Sequence, residues 1–267
     1  MEHYFDKIQT CATVIRNRCE TLPEVAIVLG SGLGDIVDQL AHPIVLPYDS
    51  LPFFPQSTVV GHKGQLILGE LKGKPVLIMA GRTHYYEGYS MKEVVFPIYV
   101  FHALGIKTLI LTNACGGINE DYQPGDIVLV EDFINLAFDN PLIGVNDDRL
   151  GPRFPDMSEP FSFKQIDKMK RIQPDIKQGT YGFFSGPYYE TRAEIQAFKR
   201  MGCDLIGMST VPETIAANHC GMEVLAFSVV TNMATGIQKV KHDHQRVLDT
   251  AVLASAKLKA LLLAWFD

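Results

Sequence analysis

The stretch Val25-Ala26-Ile27-Val28-Leu29-Gly30-Ser31-Gly32-Leu33-Gly34 decides how this 267-residue chain is read. An unbroken apolar run fits a strand buried on both faces, as in a parallel sheet. It passes straight into glycines and a serine. Glycine lets backbone N–H groups come close to a ligand, as strand-end loops do when they hold phosphate. The stretch therefore reads as an anion cradle, for a dinucleotide, a nucleotide or free phosphate.

Working outward, 267 residues with 47% hydrophobic content and no composition break predict one globular domain over residues 1–267. The net charge of −6 speaks against nucleic acid or an anionic membrane as a partner. An anionic substrate then needs a local positive field, from a few residues and helix N-termini. The five cysteines are odd in number and lack metal-ligand spacing, which fits free thiols in a reducing compartment. There is no signal-peptide pattern and no long apolar run, so a soluble cytoplasmic protein is expected.

Apolar spacing predicts a helix over 4–20 and a short one within 34–42. A strand is expected at 44–48. Lys72-Gly73 joins Gln65–Leu71 and Lys74–Ala80 as a hairpin. Ser90 and Glu93 form a capping box, and Pro97 either bends the helix that follows or marks its true start. Further strands are predicted at 107–112, 126–130, 180–184, 204–208 and 224–230, with the polar residues after each taken as loops. Residues 139–160 have no period and read as a long loop that serves a site. Helices are expected at Phe163–Ile172, after a Thr191/Glu194 box, after a Thr210/Glu213 box, and from Asp243 to the C-terminus. This alternation predicts an α/β fold, a single domain with a mixed, largely parallel central sheet flanked by helices. Ligands of such sheets sit beyond the C-terminal strand ends, where the glycine-rich and polar segments fall here.

The loop GSGLG departs from the GxGxxG dinucleotide fingerprint, because its third glycine comes one residue early. Asp49 stands where a ribose acid would, but residues 34–42 are too few for an ordinary crossover helix. GxxxxGK[ST] is absent, and 207–211 lacks the second glycine of GxSxG. His242 and His244, two apart, would face different ways on a helix and make a poor metal pair.

Several motifs in one order carry a resemblance. They are GSGLG at 30–34, GHKG at 61–64, GRTHYYEGY at 81–89, NACGGIN at 113–119, RFPDMS at 153–158, GPYYET at 186–191, GMSTVPE at 207–213 and TNM at 231–233. Over roughly residues 20–262 the chain resembles the homotrimeric purine nucleoside phosphorylases, relatives of methylthioadenosine phosphorylase. The resemblance implies phosphorolysis of a purine nucleoside in purine salvage, with inorganic phosphate as co-substrate and no metal or organic cofactor. It implies phosphate contacts from Ser31, His62, Arg82, His84, Ser209 and the Ala114 backbone N–H. Ribose contacts fall to Tyr86, Met208 and His244, with Phe154 closing the sugar site of a neighbouring subunit. Tyr189, Glu190 and Asn232 would hold the base, and His84, Glu190 and Asn232 would be catalytic.

The residue chemistry suits these roles. Arg82 offers a charged planar fork. The Glu190 carboxylate accepts from a purine N1–H, and the Asn232 amide donates where charge collects on the departing base. Asparagine at 232, where 6-aminopurine-specific relatives carry aspartate, implies inosine and guanosine as substrates. Met233, Cys115 and Tyr189 depart from the commoner lysine, alanine and phenylalanine of the family. The competing readings are a methylthioadenosine phosphorylase, which Asn232 and His244 oppose, an NAD-dependent oxidoreductase, and a nucleoside binder without turnover.

Overall fold

The buried strand at Val25–Leu29 (β1) lies between two parallel neighbours, paired from Val25↔Val76 to Leu29↔Ala80 on one side and Val25↔Thr108 to Val28↔Leu111 on the other. Ala26, Ile27 and Val28 are fully buried, as a strand covered on both faces requires. The computed structural model describes residues 2–19, 21–59, 62–238 and 243–267. Glu20, Gly61 and His242 therefore lie outside the described residues.

Helix α1 (Glu2–Arg16) precedes β1, and a 3-10 turn over Gly34–Gln39 follows it. Then come β2 (Ala41–Pro47), β3 (Gln65–Leu71) and β4 (Lys74–Ala80), all antiparallel in sequence. The glycine loop thus leads to an antiparallel edge strand and not to a crossover helix, which removes the dinucleotide reading. Lys72 and Gly73 have φ of 53° and 72°, the left-handed pair that a tight hairpin needs.

The Ser90/Glu93 box starts α2 (Met91–Val94), and Pro97 lies in the first turn of a separate α3 (Phe96–Leu104). Next are β5 (Thr108–Gly117), β6 (Ile127–Asn135), α4 (Phe163–Ile172) and β7 (Lys177–Phe183). The chain ends with α5 (Arg192–Met201), β8 (Leu205–Gly207), α6 (Val211–His219), β9 (Glu223–Met233) and α7 (His244–Phe266). At the last turn of α7 the Lys74 and Lys168 ammonium groups donate to the carbonyls of Phe266 and Trp265.

Among the described residues the strands make one mixed nine-stranded sheet. Strand β5 pairs with β9 in parallel, β9 with β6 antiparallel, β6 with β7 and β7 with β8 in parallel. Strand β8 then returns to β5, antiparallel, at Gly116↔Ile206 and Gly117↔Leu205. Strands β5, β9, β6, β7 and β8 therefore close a ring, and β1, β4, β3 and β2 extend it as an open sheet. Closure explains two differences from the sequence expectation. Residues 113–117 and 231–233, polar and glycine-rich, read as loops but continue β5 and β9, because pairing across the ring overrides local propensity.

Gly30 carries the contact between the end of β1 and β5. A Cβ there would stand 2.8 Å from the Thr112 carbonyl oxygen and 2.9 Å from Asn113 Cα, both backbone atoms that cannot swing away. Gly30→Ala is expected to destabilise the fold by about 2 kcal/mol, the cost of overpacking a tight site. Urea unfolding followed by the fluorescence of Trp265, the chain's single tryptophan, reads it, and an unchanged midpoint would refute the contact.

Candidate active site

The C-terminal strand ends meet at one cleft. Strand β1 brings Ser31, and the segment after β4 brings Arg82, His84 and Tyr86. Ala114 comes from β5, Tyr189 and Glu190 from the segment after β7, and Met208 and Ser209 from the end of β8. Asn232 comes from β9 and His244 from the first turn of α7. Two sequence-predicted residues stand apart. His62 sits behind Ser31, with Nε2 2.9 Å from the Ser31 hydroxyl and Nδ1 2.8 Å from the Arg82 carbonyl oxygen. Phe154 is 88% exposed on the long loop, flanked by the Arg153 guanidinium. Among the described residues no cluster of His, Cys, Asp and Glu is shaped to hold a metal ion.

The glycine loop is held from behind. The Thr112 hydroxyl donates to the Val28 carbonyl (3.0 Å) and accepts from Gly30 N–H (3.1 Å). That N–H is thus already engaged, and Ser31 is the side chain the loop sends into the cleft.

Arg82 is buried to 2% exposure and largely satisfied by the fold. Its Nη2 donates to Thr112 O at 2.5 Å and Val28 O at 3.4 Å, and its Nη1 donates to the Thr210 hydroxyl at 3.2 Å. Nη1 also lies 3.4 Å from the buried Glu213 carboxylate. The charged planar fork expected from the sequence is thus bound to β1, to β5 and to the segment after β8, and is offset by a carboxylate.

His84 too is held by a carboxylate. Its Nδ1 is 3.0 Å from Glu87 Oε1, and its ring stacks between His62 (5.4 Å) and Tyr86 (4.7 Å). Burial lowers the His84 pKa, partly opposed by the Glu87 contact. Glu87 is held down to about 2: its own burial acts the other way, but bonds from His84 and Thr58 outweigh it. His62 falls to about 4, mainly from burial and then from His84. Both imidazoles are therefore neutral at pH 7.

The Thr210/Glu213 capping box does not form. Thr210 has φ 75° and ψ −49°, and its side chain makes no cap bond. Val211 N–H donates to Ser209 O at 2.8 Å, so Thr210 is the centre of a positive-φ γ-turn, a strained state for a β-branched residue. Arg82 and the Asn113 amide (2.9 Å) both donate to its hydroxyl, which helps hold the turn. The turn carries Ser209 into the cleft and places Glu213 beside Arg82. Such strain collects where a fold over-determines a site.

On β9, register passes from Cys115↔Val230 to Gly116↔Asn232, which makes Thr231 the extra residue of a bulge. Adjacent strand residues normally face opposite ways. Here Thr231 and Asn232 both line the cleft. The Thr231 hydroxyl donates to Cys115 O (3.1 Å) and accepts from Asn232 Nδ2 (3.1 Å). A carbonyl only accepts, so this chain fixes which end of the Asn232 amide is the donor. Glu190 is 6% exposed, and burial raises its pKa to about 7 against the pull of its own backbone bond.

Sequence reasoning missed four residues. Glu87 was legible, since a carboxylate three residues after His84 is a readable pair. Glu213 and Thr210 were seen but assigned to a helix cap. Thr231 left no signal, because a bulge depends on the partner strand.

Residues 24–266 match the phosphorylase superfamily. Purine nucleoside phosphorylase 1 of Geobacillus stearothermophilus is 48% identical over 247 residues, covering 91% of this chain and 90% of that protein. The Rattus norvegicus purine nucleoside phosphorylase is 42% identical, with 97% and 93% covered. The Schistosoma mansoni enzyme in complex with inosine superposes with a TM-score of 0.92 at 36% identity, covering 98% of this chain and 95% of that one. Its complex with adenosine gives 0.93 at 36%, with 98% and 96% covered. With that agreement in sequence and in fold, the chain belongs to the purine nucleoside phosphorylases of the phosphorylase superfamily.

Proposed function

We propose that the chain splits 6-oxopurine ribo- and 2′-deoxyribonucleosides, such as inosine and guanosine, with inorganic phosphate. The products are the free base and (deoxy)ribose 1-phosphate. One observation carries the reading: a single cleft joins hydroxyl, imidazole and guanidinium groups from β1, β4 and β8 to a buried carboxylate and an oriented amide from β7 and β9.

In the reaction a phosphate oxygen forms a bond to C1′ while the C1′–N9 bond breaks and its electron pair leaves with the purine. Ser31, Arg82, His84, Ser209 and Ala114 N–H receive the phosphate. Glu87 is ionised, so the proton of neutral His84 resides on Nδ1 and donates to it. Nε2 then carries the lone pair and takes the proton of a monoanionic phosphate, leaving the stronger nucleophile. His62 orients Ser31: its Nδ1 lies 2.8 Å from the Arg82 carbonyl oxygen, which only accepts, so the proton sits on Nδ1 and Nε2 accepts from the Ser31 hydroxyl at 2.9 Å.

Tyr86, Met208 and His244 grip the sugar, with His244 on the 5′-hydroxyl. Tyr189 flanks the base. Glu190 accepts from N1–H, and Asn232 donates to N7 or O6 as negative charge develops there, so it binds the transition state more strongly than the ground state. The reaction runs without metal or organic cofactor in this scheme. Phe154, exposed on its loop, reaches the sugar site of a neighbouring copy in a homotrimer. The setting is purine salvage in the cytoplasm; no helix of the described residues is long and apolar enough to cross a membrane. Because the Schistosoma relative is solved with adenosine as well as inosine, we assign the 6-oxo preference to turnover and not to occupancy.

Hypoxanthine release from inosine is expected only when phosphate is supplied, and release at equal rate without it would refute the reaction. Asn232→Asp should lower kcat/KM for inosine about 100-fold and shift the inosine-to-adenosine ratio toward adenosine, since a buried mismatch discriminates strongly. A ratio left unchanged would show that Asn232 does not read the base. Hypoxanthine affinity measured without phosphate should weaken as pH falls through about 7, because ionised Glu190 accepts N1–H more strongly than the neutral acid does. In Glu190→Gln that pH dependence should vanish, and its persistence would assign the titration elsewhere.

A further inference from the structure

Glu213 has no task in the reaction proposed above. It lies in the first turn of α6, 3% exposed, and neither carboxylate oxygen has a hydrogen-bond partner among the described residues. What it has is Arg82 Nη1 at 3.4 Å. Arg82 does not need Glu213 to hold its place, because Thr112 O, Val28 O and the Thr210 hydroxyl already anchor both terminal nitrogens. Arg82 Nε, equally buried, has no partner either. A buried carboxylate without hydrogen bonds is unfavourable, and a fold that needed only packing would place an apolar side chain there. The arrangement is charge compensation beside a cleft whose described lining residues include no other lysine or arginine, with His62 and His84 neutral and Glu87 ionised.

From this we infer that Glu213 is the internal counter-anion of the phosphate cradle. It offsets Arg82 while the cleft is empty and so moderates the affinity for every anion that enters. The inference rests on the phosphate reading given above. Its logic lies in the turnover cycle, where substrate and sugar product are both phosphates. An uncompensated guanidinium in so buried a place would hold any anion tightly, because charge attraction grows as water is excluded. Tight binding of phosphate and ribose 1-phosphate alike would slow product departure without favouring the transition state. The strained turn at Thr210 fits this role, since it delivers Ser209 to the cleft and the Glu213 carboxylate to Arg82 within one short segment.

Glu213→Gln keeps size and shape and removes the charge. Calorimetric titration with inorganic phosphate is expected to show binding tightened about tenfold, the scale of a nearby buried charge in a medium of intermediate dielectric. Inhibition by ribose 1-phosphate should strengthen in parallel and kcat should fall. The variant should melt lower than wild type without phosphate and gain more than wild type when phosphate is added. A side chain that merely props the loop would weaken phosphate binding when altered, so unchanged or weaker binding overturns the inference. Glu213→Asp, which withdraws the carboxylate by one methylene and keeps its charge, covers the case in which the glutamine variant does not fold. It should tighten phosphate in the same direction by a smaller factor, and weaker or equal binding there is equally decisive. Wild-type protein that binds no phosphate would overturn the cradle itself, an outcome distinct from any effect at Glu213.

Discussion

The rest of the structure depends on β5 exchanging one neighbour for another along its length. Through Leu111 it is flanked by β1 and β9. Strand β1 then ends at Leu29, and the exposed edge of β5 is taken up by β8, running the other way at Gly116 and Gly117. An unpaired edge inside a protein would leave backbone groups unsatisfied, so the handover is required once β1 stops. The two glycines permit it. A side chain at Gly116 would press on Ile206 at 3.1 Å, and one at Gly117 on Met233 at 3.0 Å. Ring and open sheet part company at this point, and the cleft opens where they do.

That origin accounts for the electrostatics. Arg82 is tied to β1 and β5 through Val28 O and Thr112 O, and to the β8–α6 segment through Thr210 and Glu213. It fastens these three segments together as well as bringing charge. With Glu213 against Arg82, and ionised Glu87 against a neutral His84, the polar wall carries no net positive charge. Hydroxyls and backbone N–H groups are the means by which such a wall meets an anion, which suits a chain whose net charge is −6.

Much of this was legible in the sequence, for reasons that can be named. Val25–Leu29, the Gln65–Leu71 and Lys74–Ala80 hairpin and Phe163–Ile172 have the bounds that periodicity and turn chemistry predict, because burial and local propensity agree there. The Ser90 and Thr191 caps are equally local and equally readable. The gathering of Ser31, Arg82, His84, Glu190, Ser209 and Asn232 at one cleft was also foreseeable, since strand C-termini share one edge in such a sheet. What could not be read depends on partners far along the chain. Strand β5 continues through Asn113-Ala114-Cys115-Gly116-Gly117 only because β8 and β9 pair with it. Thr210 and Glu213 have the spacing of a capping box, yet Arg82, 128 positions from Thr210, claims the hydroxyl and the γ-turn follows. His62 and Phe154 were placed by resemblance, and only His62 stands in direct contact with a cleft residue, Ser31.

The bulge at Thr231 makes the arrangement at the β9 end a matter of counting. Thr231 and Asn232 share the cleft because one strand carries a residue more than its partner across that span. Deleting a single residue there would leave a continuous strand still able to pair, and would turn one of the two side chains away from the ligand. The converse holds for an insertion. Composition at this point can vary within the limits of packing, but length cannot, so the alignment of related chains should be free of gaps between Val230 and Asn232 even where the residues themselves differ.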